Sequence, residues 1–259
     1  MHLNKLILPA LLGAVAASVA AAADQQAPQQ TGSLYNVTRV VVKADHVGTY
    51  RDYLKKLSDG YKKAGVQSFH VYVGLSGNPL EYMMVRSVPN YAALDDGPIL
   101  SKAFGETERV RLNVQRDQCT ESVQVAYERG VLAIGGGEPR AYRVVTRFRA
   151  RPGMADAYTN ALKAELQPPL SKLDGLRYRV RRVEWGGSRN EFVMTSDIDK
   201  MSALDKPSPM VQAMGPEGAA AWTKRVADFG AQVDASVYRH LPEFGFTVRS
   251  NYYSPVRIT

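Results

Sequence analysis

The feature that most constrains the fold of this chain is an internal repetition that spans most of its length. The sequence Val-Thr-Arg at 37–39 recurs at 145–147. Further matches follow in the same order along both segments, with one small shift near Pro168. They are Tyr50 with Tyr158, Leu54 with Leu162, Gly65 with Gly175, Gly77 with Gly187, Glu81 with Glu191, Met84 with Met194, Ala93-Leu94-Asp95 with Ala203-Leu204-Asp205, and Gly105 with Gly215. Because chance similarity does not preserve such an order, the sequence predicts two copies of one unit.

A glycine-rich segment separates the two copies. Residues 135–137 are consecutive glycines, followed by Glu138 and Pro139, a composition typical of a connecting loop. The predicted division is a first repeat at 34–130, a linker at 131–140, a second repeat at 141–243 and a C-terminal extension at 244–259. Each repeat has about 100 residues, which is the size of a small domain.

Hydrophobic periodicity predicts the order strand, helix, strand, strand, helix, strand in each repeat. Residues 37–42 are β-branched and strand-like, and 46–63 has apolar residues at helical spacing. Two strands at 69–73 and 80–85 are joined by the turn sequence Ser-Gly-Asn-Pro at 76–79. The remaining predicted elements are helices within 91–113 and at 219–229, and closing strands at 122–127 and 235–240.

This β-α-β-β-α-β order is that of a ferredoxin-like unit, in which both helices cover one face of a four-stranded antiparallel sheet. Two such sheets can bury their open faces against each other. The combination resembles the dimeric α/β-barrel superfamily in tandem, in particular NIPSNAP-like and antibiotic-biosynthesis-monooxygenase-like domains. The resemblance covers 34–243 and rests on the element order, the Val-Thr-Arg first strands, the tyrosine-bearing first helices and the glycine-containing hairpins.

The resemblance implies an α+β fold, with two tandem ferredoxin-like repeats forming a dimeric α/β-barrel-type arrangement within one chain. Relatives in this superfamily include cofactor-independent oxygenases, haem-degrading enzymes and proteins of no known activity. A shared fold hosts many functions, so the function has to be argued from the residues of this chain.

The N-terminal segment has the pattern of an export signal. Lys5 precedes an apolar run at 6–22, and the alanines at 21–23 form a small-residue cleavage site. The run is rich in alanine and no basic cluster follows it, which favours cleavage over a retained membrane anchor. We therefore predict a signal peptide at 1–23, a disordered leader at 24–33, and a periplasmic or secreted protein without a stable membrane anchor.

Charge and cysteine content narrow the class of partner. The chain has 33 Lys and Arg against 25 Asp and Glu, and this net charge of +8 suits an anionic ligand. It also suits nucleic acid, but export argues against that partner. Cys119 is the only cysteine, so an intramolecular disulfide is excluded, and we interpret this thiol as a small buried residue. The sequence does not specify the oligomeric state.

The chain carries no motif for a metal, a nucleotide or another cofactor, and none is predicted. It has no H-E-x-x-H or C-x-x-C pair, no P-loop and no G-x-S-x-G elbow. His70, on a predicted strand, is the best candidate for acid–base chemistry because an imidazole pKa can lie near neutrality. The alternative is a packed histidine that is hydrogen-bonded to a neighbour.

Arginine alternates with apolar residues on two predicted strands of the second repeat. One face carries Arg143, Arg147, Arg149, Arg177, Arg179 and Arg181. If the apolar face meets the helices, these arginines point into the space between the sheets, where each has to be paired or solvated. Glu81 and Glu191 are candidate internal partners, and a small carboxylate is a candidate ligand. A solvated face or an internal network of salt bridges is the alternative.

These features lead to three functional hypotheses. The leading one is an exported protein that binds a small organic ligand, anionic or aromatic, between the two repeats. The ligand-binding residues predicted for it are Arg147, Arg179, Arg181, Arg39 and Tyr72. The second is a cofactor-independent oxygenase-like or isomerase-like enzyme that uses His70, and the third is a structural or interaction module without activity. A cavity of about 300 Å³ or more would favour a ligand over a filled barrel.

Overall fold

The computed structural model describes residues 32–248. The predicted signal peptide, residues 24–31 of the predicted leader and residues 249–259 of the predicted extension lie outside this part of the chain. The helices that cover the sheet are α1 (Val47–Lys63), α2 (Ile99–Phe104), α3 (Glu106–Cys119), α4 (Ala155–Ala161), α5 (Gln167–Leu170) and α6 (Pro209–Phe229). A π-helical turn at Leu162–Leu166 joins α4 to α5. Within residues 32–248, no helix has the length and apolar character needed to cross a membrane.

The strands form one antiparallel sheet that closes on itself. They are β1 (Leu34–Val42), β2 (Ser68–Gly74), β3 (Glu81–Val88), β4 (Thr120–Ile134), β5 (Tyr142–Ala150), β6 (Tyr178–Trp185), β7 (Glu191–Ile198), β8 (Gly230–His240) and β9 (Phe246–Thr247). Their order is β3-β1-β4-β6-β7-β5-β8-β2-β9, and β3 also pairs with β2. That last pairing makes β1–β8 an eight-stranded barrel and leaves β9 as a short addition to β2. The predicted α+β, barrel-type fold is confirmed.

The joining of the two halves differs from the prediction of two separate facing sheets. β4 pairs with β6 and β8 pairs with β2, so the two groups of four strands are hydrogen-bonded to each other at both edges. An isolated four-stranded sheet would leave the backbone N–H and C=O groups of its edge strands unpaired, and closure of the barrel satisfies these groups. The strand order is β4-β1-β3-β2 in the N-terminal half and β8-β5-β7-β6 in the C-terminal half.

The helices pack against the outer face of the barrel in two hydrophobic clusters. In α1, the tyrosines and leucines at helical spacing are buried, while its lysines face solvent. The N-terminal cluster includes Tyr50, Tyr53, Leu54, Leu57, Phe69, Val71 and Tyr82. The C-terminal cluster includes Phe148, Tyr158, Leu162, Leu166, Phe192 and Trp222. Burial of these two faces fixes which strand positions point outward and, by alternation, which point into the barrel.

Several predicted boundaries need correction. β4 continues four residues into the predicted linker because Val131, Leu132 and Ile134 are buried and their segment pairs with β6. The last two residues of the predicted leader also join the barrel, where Gly32 N–H donates to the carbonyl of Gly130. In the predicted C-terminal extension, β9 pairs with β2. These errors share one cause, since strand ends are set by partner strands that are distant in sequence.

Candidate functional site

The barrel interior contains both apolar and charged side chains. The apolar ones form a buried layer of Val37, Tyr72, Met83, Val85, Val145, Val183, Val193 and Tyr238. Residues directly opposite these positions on neighbouring strands share the same face. Register therefore places Arg39 opposite Met83, Arg147 opposite Val193, and Arg181 opposite Val193 on the other side of β7. For Arg147 and Arg181, this register agrees with the prediction that one face of arginines points into the space between the two halves.

The first group of interior charges surrounds Asp197. Arg143 donates from Nε and a terminal nitrogen to the two carboxylate oxygens, at 2.6 and 2.9 Å. Arg179 donates to one of the same oxygens at 3.2 Å. Burial alone would raise the pKa of Asp197, but the two guanidinium groups outweigh burial and hold it below its usual range. Asp197 is therefore a charged, buried anchor for two arginines.

The second group surrounds Glu128, whose side chain is fully buried. Arg181 Nε lies 3.3 Å from one carboxylate oxygen, and a terminal nitrogen of Arg39 lies 4.0 Å from the other. Among the described residues, neither oxygen has a partner at hydrogen-bonding geometry. Glu128 is thus balanced by charge and not by short hydrogen bonds.

A further arginine of the inner face, Arg147, has a terminal nitrogen 3.4 Å from a carboxylate oxygen of Asp234. The partners predicted from sequence are not those found for the interior arginines: Glu81 accepts a hydrogen bond from the hydroxyl of Tyr238 at 2.7 Å. Glu191 lies 3.7 Å from Arg149 at the exposed end of β5. Each of the predicted ligand-binding arginines has a carboxylate within 4.0 Å, which is the geometry of an internal salt-bridge network.

His70 and Tyr72 lie at one end of the interior, next to His240. The centre of the His240 ring is 5.6 Å from that of His70 and 5.1 Å from that of Tyr72, and Arg143 stacks on Tyr72 at 4.3 Å. Burial, then His240 and Arg143, lower the pKa of His70 to about 3. Burial and Arg143 lower that of His240 to about 4. The expected near-neutral pKa for His70 is therefore not found, and an imidazole of such low pKa is a weak general base.

The two histidines lead to a prediction on pH dependence. Their pKa values are depressed in the folded protein, so an unfolded chain with ordinary imidazoles binds more protons below about pH 6.5. We expect the free energy of unfolding to fall by about 3 to 4 kcal/mol between pH 7 and pH 5, about half of it through each histidine. Urea unfolding at both pH values would measure it. The decrease in the free energy of unfolding should be smaller in His70→Gln. A decrease as large as that of the wild type would contradict the role given to His70.

A cavity of about 760 Å³ opens outside the barrel, where β1 begins and β3 ends. Its wall combines the ends of β1 and β3, the turn after α1, and the segment between β3 and α2. The lining includes Leu34, Tyr35, Val66, Gln67, Ser68, Arg86, Ser87, Val88, Leu94, Asp96, Pro98, Ile99, Lys102 and Tyr127. Its volume is that of small-molecule sites, and its wall combines apolar, polar and charged side chains. None of the predicted ligand-binding residues lines it.

The segment between β3 and α2 is held over the cavity by a cluster around Glu184. The hydroxyl of Tyr91 donates to Glu184, and Arg129 Nε donates to the same carboxylate at 2.6 Å. Hydrogen bonds from Arg129 and Tyr91 hold the pKa of Glu184 below its usual range, although burial opposes them. The cavity wall is thereby fixed to β4 and to β6 of the other half.

Arg86 is a buried charged residue of the cavity wall that could not be singled out from sequence. It is only 8% exposed, and its guanidinium lies over the ring of Tyr61 at 5.3 Å. Arg86 interrupts an outward-facing apolar row of β3 formed by Tyr82, Met84 and Val88. A charge in such a row is costly unless it has a function or a partner.

Other candidate chemistry is not supported by the geometry. Within residues 32–248, no group of three or more His, Cys, Asp or Glu side chains is arranged to hold a metal ion. Cys119 is buried at the end of α3, and burial raises the pKa of its thiol. A buried thiol of raised pKa is poorly reactive.

Solved structures show where this architecture occurs elsewhere. A protein from Lactobacillus acidophilus NCFM, provisionally assigned as a monooxygenase, is 9% identical with a TM-score of 0.60, over 83% of this chain and 96% of that one. An anthrone oxidase-like protein is 20% identical with a TM-score of 0.57, over 81% and 92%. A mutant chlorite dismutase from Candidatus Nitrospira defluvii is 9% identical with a TM-score of 0.53, over 83% and 94%. This chain shares their fold.

These structures support the barrel-type fold that the sequence predicts. No protein-family model matches the sequence, and no curated protein does. At identities of 20% or less the similarity carries no activity with it, so function has to be argued from the cavity and the charged clusters.

Proposed function

We propose that this chain is an exported protein that binds a small organic ligand in the cavity beside β1 and β3. The observation that carries the proposal is the cavity, whose 760 Å³ is ample for a ligand of drug-like size. Tyr127 in its wall combines apolar surface with a hydrogen-bonding hydroxyl. Export rests on the signal pattern at 1–23, and a periplasmic or secreted location follows from it.

We further propose that the barrel consists of two tandem ferredoxin-like repeats, at 34–130 and 141–243, of the NIPSNAP-like or antibiotic-biosynthesis-monooxygenase-like kind. The ordered sequence matches and the corresponding strand orders of the two halves support this proposal. In it, only the first repeat supplies the binding residues: Met84 corresponds to Met194, so the position of Arg86 is taken by Ser196 in the second repeat. The duplicated half would then serve mainly to complete the barrel.

The two other hypotheses are less well supported. The interior between the halves is occupied by an apolar layer and salt bridges, so the ligand site moves from there to the outer cavity. An enzyme that uses His70 as a base conflicts with its pKa of about 3. A purely structural module leaves the 760 Å³ cavity without a role.

A cavity-filling substitution tests the proposal. Native mass spectrometry of protein purified from its own host should show a retained small molecule. We expect Ala93→Phe to weaken binding of that molecule by about tenfold or more, because Ala93 lines the cavity and the added ring would occupy ligand volume. Isothermal titration calorimetry measures the change.

The matched control is Ala92→Phe, since Ala92 is exposed beside Ala93 and is not part of the cavity wall. Equal binding by the two variants would contradict the proposed location of the ligand.

A further inference from the structure

We infer that the ligand of this cavity carries a single carboxylate group and that Arg86 binds it. This inference rests on the proposed function, to which it adds the chemical class of the ligand and its anchor. The leading observation is a buried arginine, on the cavity wall, that has no acidic partner among the described residues.

The interior arginines show how this chain treats a buried guanidinium when no ligand is involved. Arg143, Arg179 and Arg181 each lie within 3.3 Å of a carboxylate oxygen. Arg86 is buried to a similar degree, at 8% exposure, yet within residues 32–248 no carboxylate lies within 4.0 Å of it. Its Nε is buried and without a hydrogen-bond partner in that part of the chain. A guanidinium in this setting is stabilised by an anion that binds beside it.

Tyr61 positions the guanidinium of Arg86. The cation lies over the Tyr61 ring at 5.3 Å, which stabilises it without neutralising its charge. Burial raises the pKa of the Tyr61 hydroxyl, and nearby Arg86 opposes that rise. The hydroxyl therefore stays protonated at neutral pH and is not a counterion. The charge of Arg86 remains available to a ligand.

The charges of the cavity wall set the charge of the ligand. Besides Arg86, the lining contains Lys102 and Asp96, which pair with each other at 2.9 Å. One positive charge is left, and it matches a monoanion. A guanidinium offers a planar pair of donors that fits the two oxygens of a carboxylate.

The other side chains of the cavity wall indicate the chemical character of the rest of the ligand. Apolar side chains of Leu34, Val66, Val88 and Ile99 share the wall with Tyr127. Such a surface packs against an aromatic or alicyclic body. The expected class is therefore an aromatic or alicyclic monocarboxylate, and not a phosphate ester that carries two negative charges.

Three matched probes test the inference on the full-length chain: naphthoate, naphthamide and naphthyl phosphate. They share one aromatic body and differ in the charge of one substituent. Calorimetric titration of the wild-type protein should give affinity for naphthoate about tenfold or more above that for naphthamide, since the acid alone forms the charged hydrogen bonds. In Arg86→Gln this ratio should fall to about twofold or less. Arg111→Gln is the control, because Arg111 pairs with Glu108 on the exposed face of α3, outside the cavity wall.

The outcomes separate this inference from the proposed function. Equal binding of naphthoate and naphthamide by the wild type would overturn the carboxylate and leave the ligand-binding function in place. Tighter binding of naphthyl phosphate than of naphthoate would overturn the assignment of a monoanion. Failure of all three probes in the wild type, together with no molecule retained from the host, would overturn both. If Arg86→Gln does not fold, Arg86→Lys is the variant to test, because lysine keeps the positive charge and loses the planar pair of donors. A naphthoate to naphthamide affinity ratio unchanged from wild type would then contradict paired binding of the carboxylate by the guanidinium.

Discussion

Replacement of Asp197 by alanine is expected to destabilise the protein by about 3 to 5 kcal/mol, because two buried guanidinium groups would lose their carboxylate. Arg143 binds both oxygens of Asp197, at 2.6 and 2.9 Å, and Arg179 binds one of them at 3.2 Å. Asp197 is 3% exposed and Arg143 is 6% exposed, so water cannot replace the lost contacts without opening the barrel. Urea unfolding at pH 7 measures the loss.

The ionisation of Asp197 supports the size of this effect. Its pKa is held below the usual range by Arg143 and Arg179 in spite of burial, so the carboxylate is charged at neutral pH. Because the folded pKa is lower than the unfolded one, the group stabilises the fold above about pH 4 and loses this contribution as the pH falls through the folded value.

The matched control is Asp156→Ala. Asp156 is exposed and pairs with Arg182 at 2.6 Å on the surface, where an ion pair contributes at most about 1 kcal/mol. A second variant tests the electrostatic explanation directly. Conversion of Arg143 and Arg179 to methionine together with Asp197→Leu should recover most of the lost stability, because no unpaired charge is left. If Asp197→Ala lowers the free energy of unfolding no more than Asp156→Ala does, the group of Asp197, Arg143 and Arg179 is solvated and the electrostatic explanation is wrong.

Residue periodicity was sufficient to predict most elements of the fold. The α1 stripe and the outer faces of the strands follow directly from apolar spacing, since each has one buried face. Period-two alternation also placed Arg147 and Arg181 on the inner face. Their acidic partners could not be predicted. Glu128 lies on β4 and meets Arg181 on β6 only because the barrel closes between these two strands, and nothing local in sequence encodes that register.

The candidate site was not predicted for a related reason. The cavity brings together residues from 33 to 127, across loops whose paths depend on long-range contacts such as Tyr91 with Glu184. The arginines that alternate along the strands form the more conspicuous sequence pattern, but carboxylates inside the barrel neutralise them. The informative residue was the isolated Arg86, because a charge without a charged neighbour in a buried apolar row is the rarer and costlier arrangement.

Replacement of Gly186 by alanine is expected to destabilise the protein by about 2 to 4 kcal/mol, through the joint between the two halves of the barrel. Gly186 follows β6, and its φ of 79° is in the left-handed region that favours glycine. A Cβ at this position would also overlap the carbonyl oxygen of Val125 and lie 2.9 Å from the Cα of Ala126. Both atoms belong to the backbone of β4, so relief of the overlap has to move the β6–β7 turn away from β4.

Gly77 separates the two contributions, because it has nearly the same φ, 80°, in the turn between β2 and β3 but has no atom within 4 Å of an added Cβ. Gly77→Ala therefore reports backbone strain alone, which costs about 1 to 2 kcal/mol. The difference between the two variants in urea unfolding measures the close contact of the turn with β4. We expect Gly186→Ala to lower the free energy of unfolding by about 1 kcal/mol or more beyond the loss caused by Gly77→Ala, since backbone overlap adds to the strain. Equal costs would mean that the β6–β7 turn does not pack against β4, and closure of the barrel would then rest on the strand hydrogen bonds of β4 and β6 without this contact.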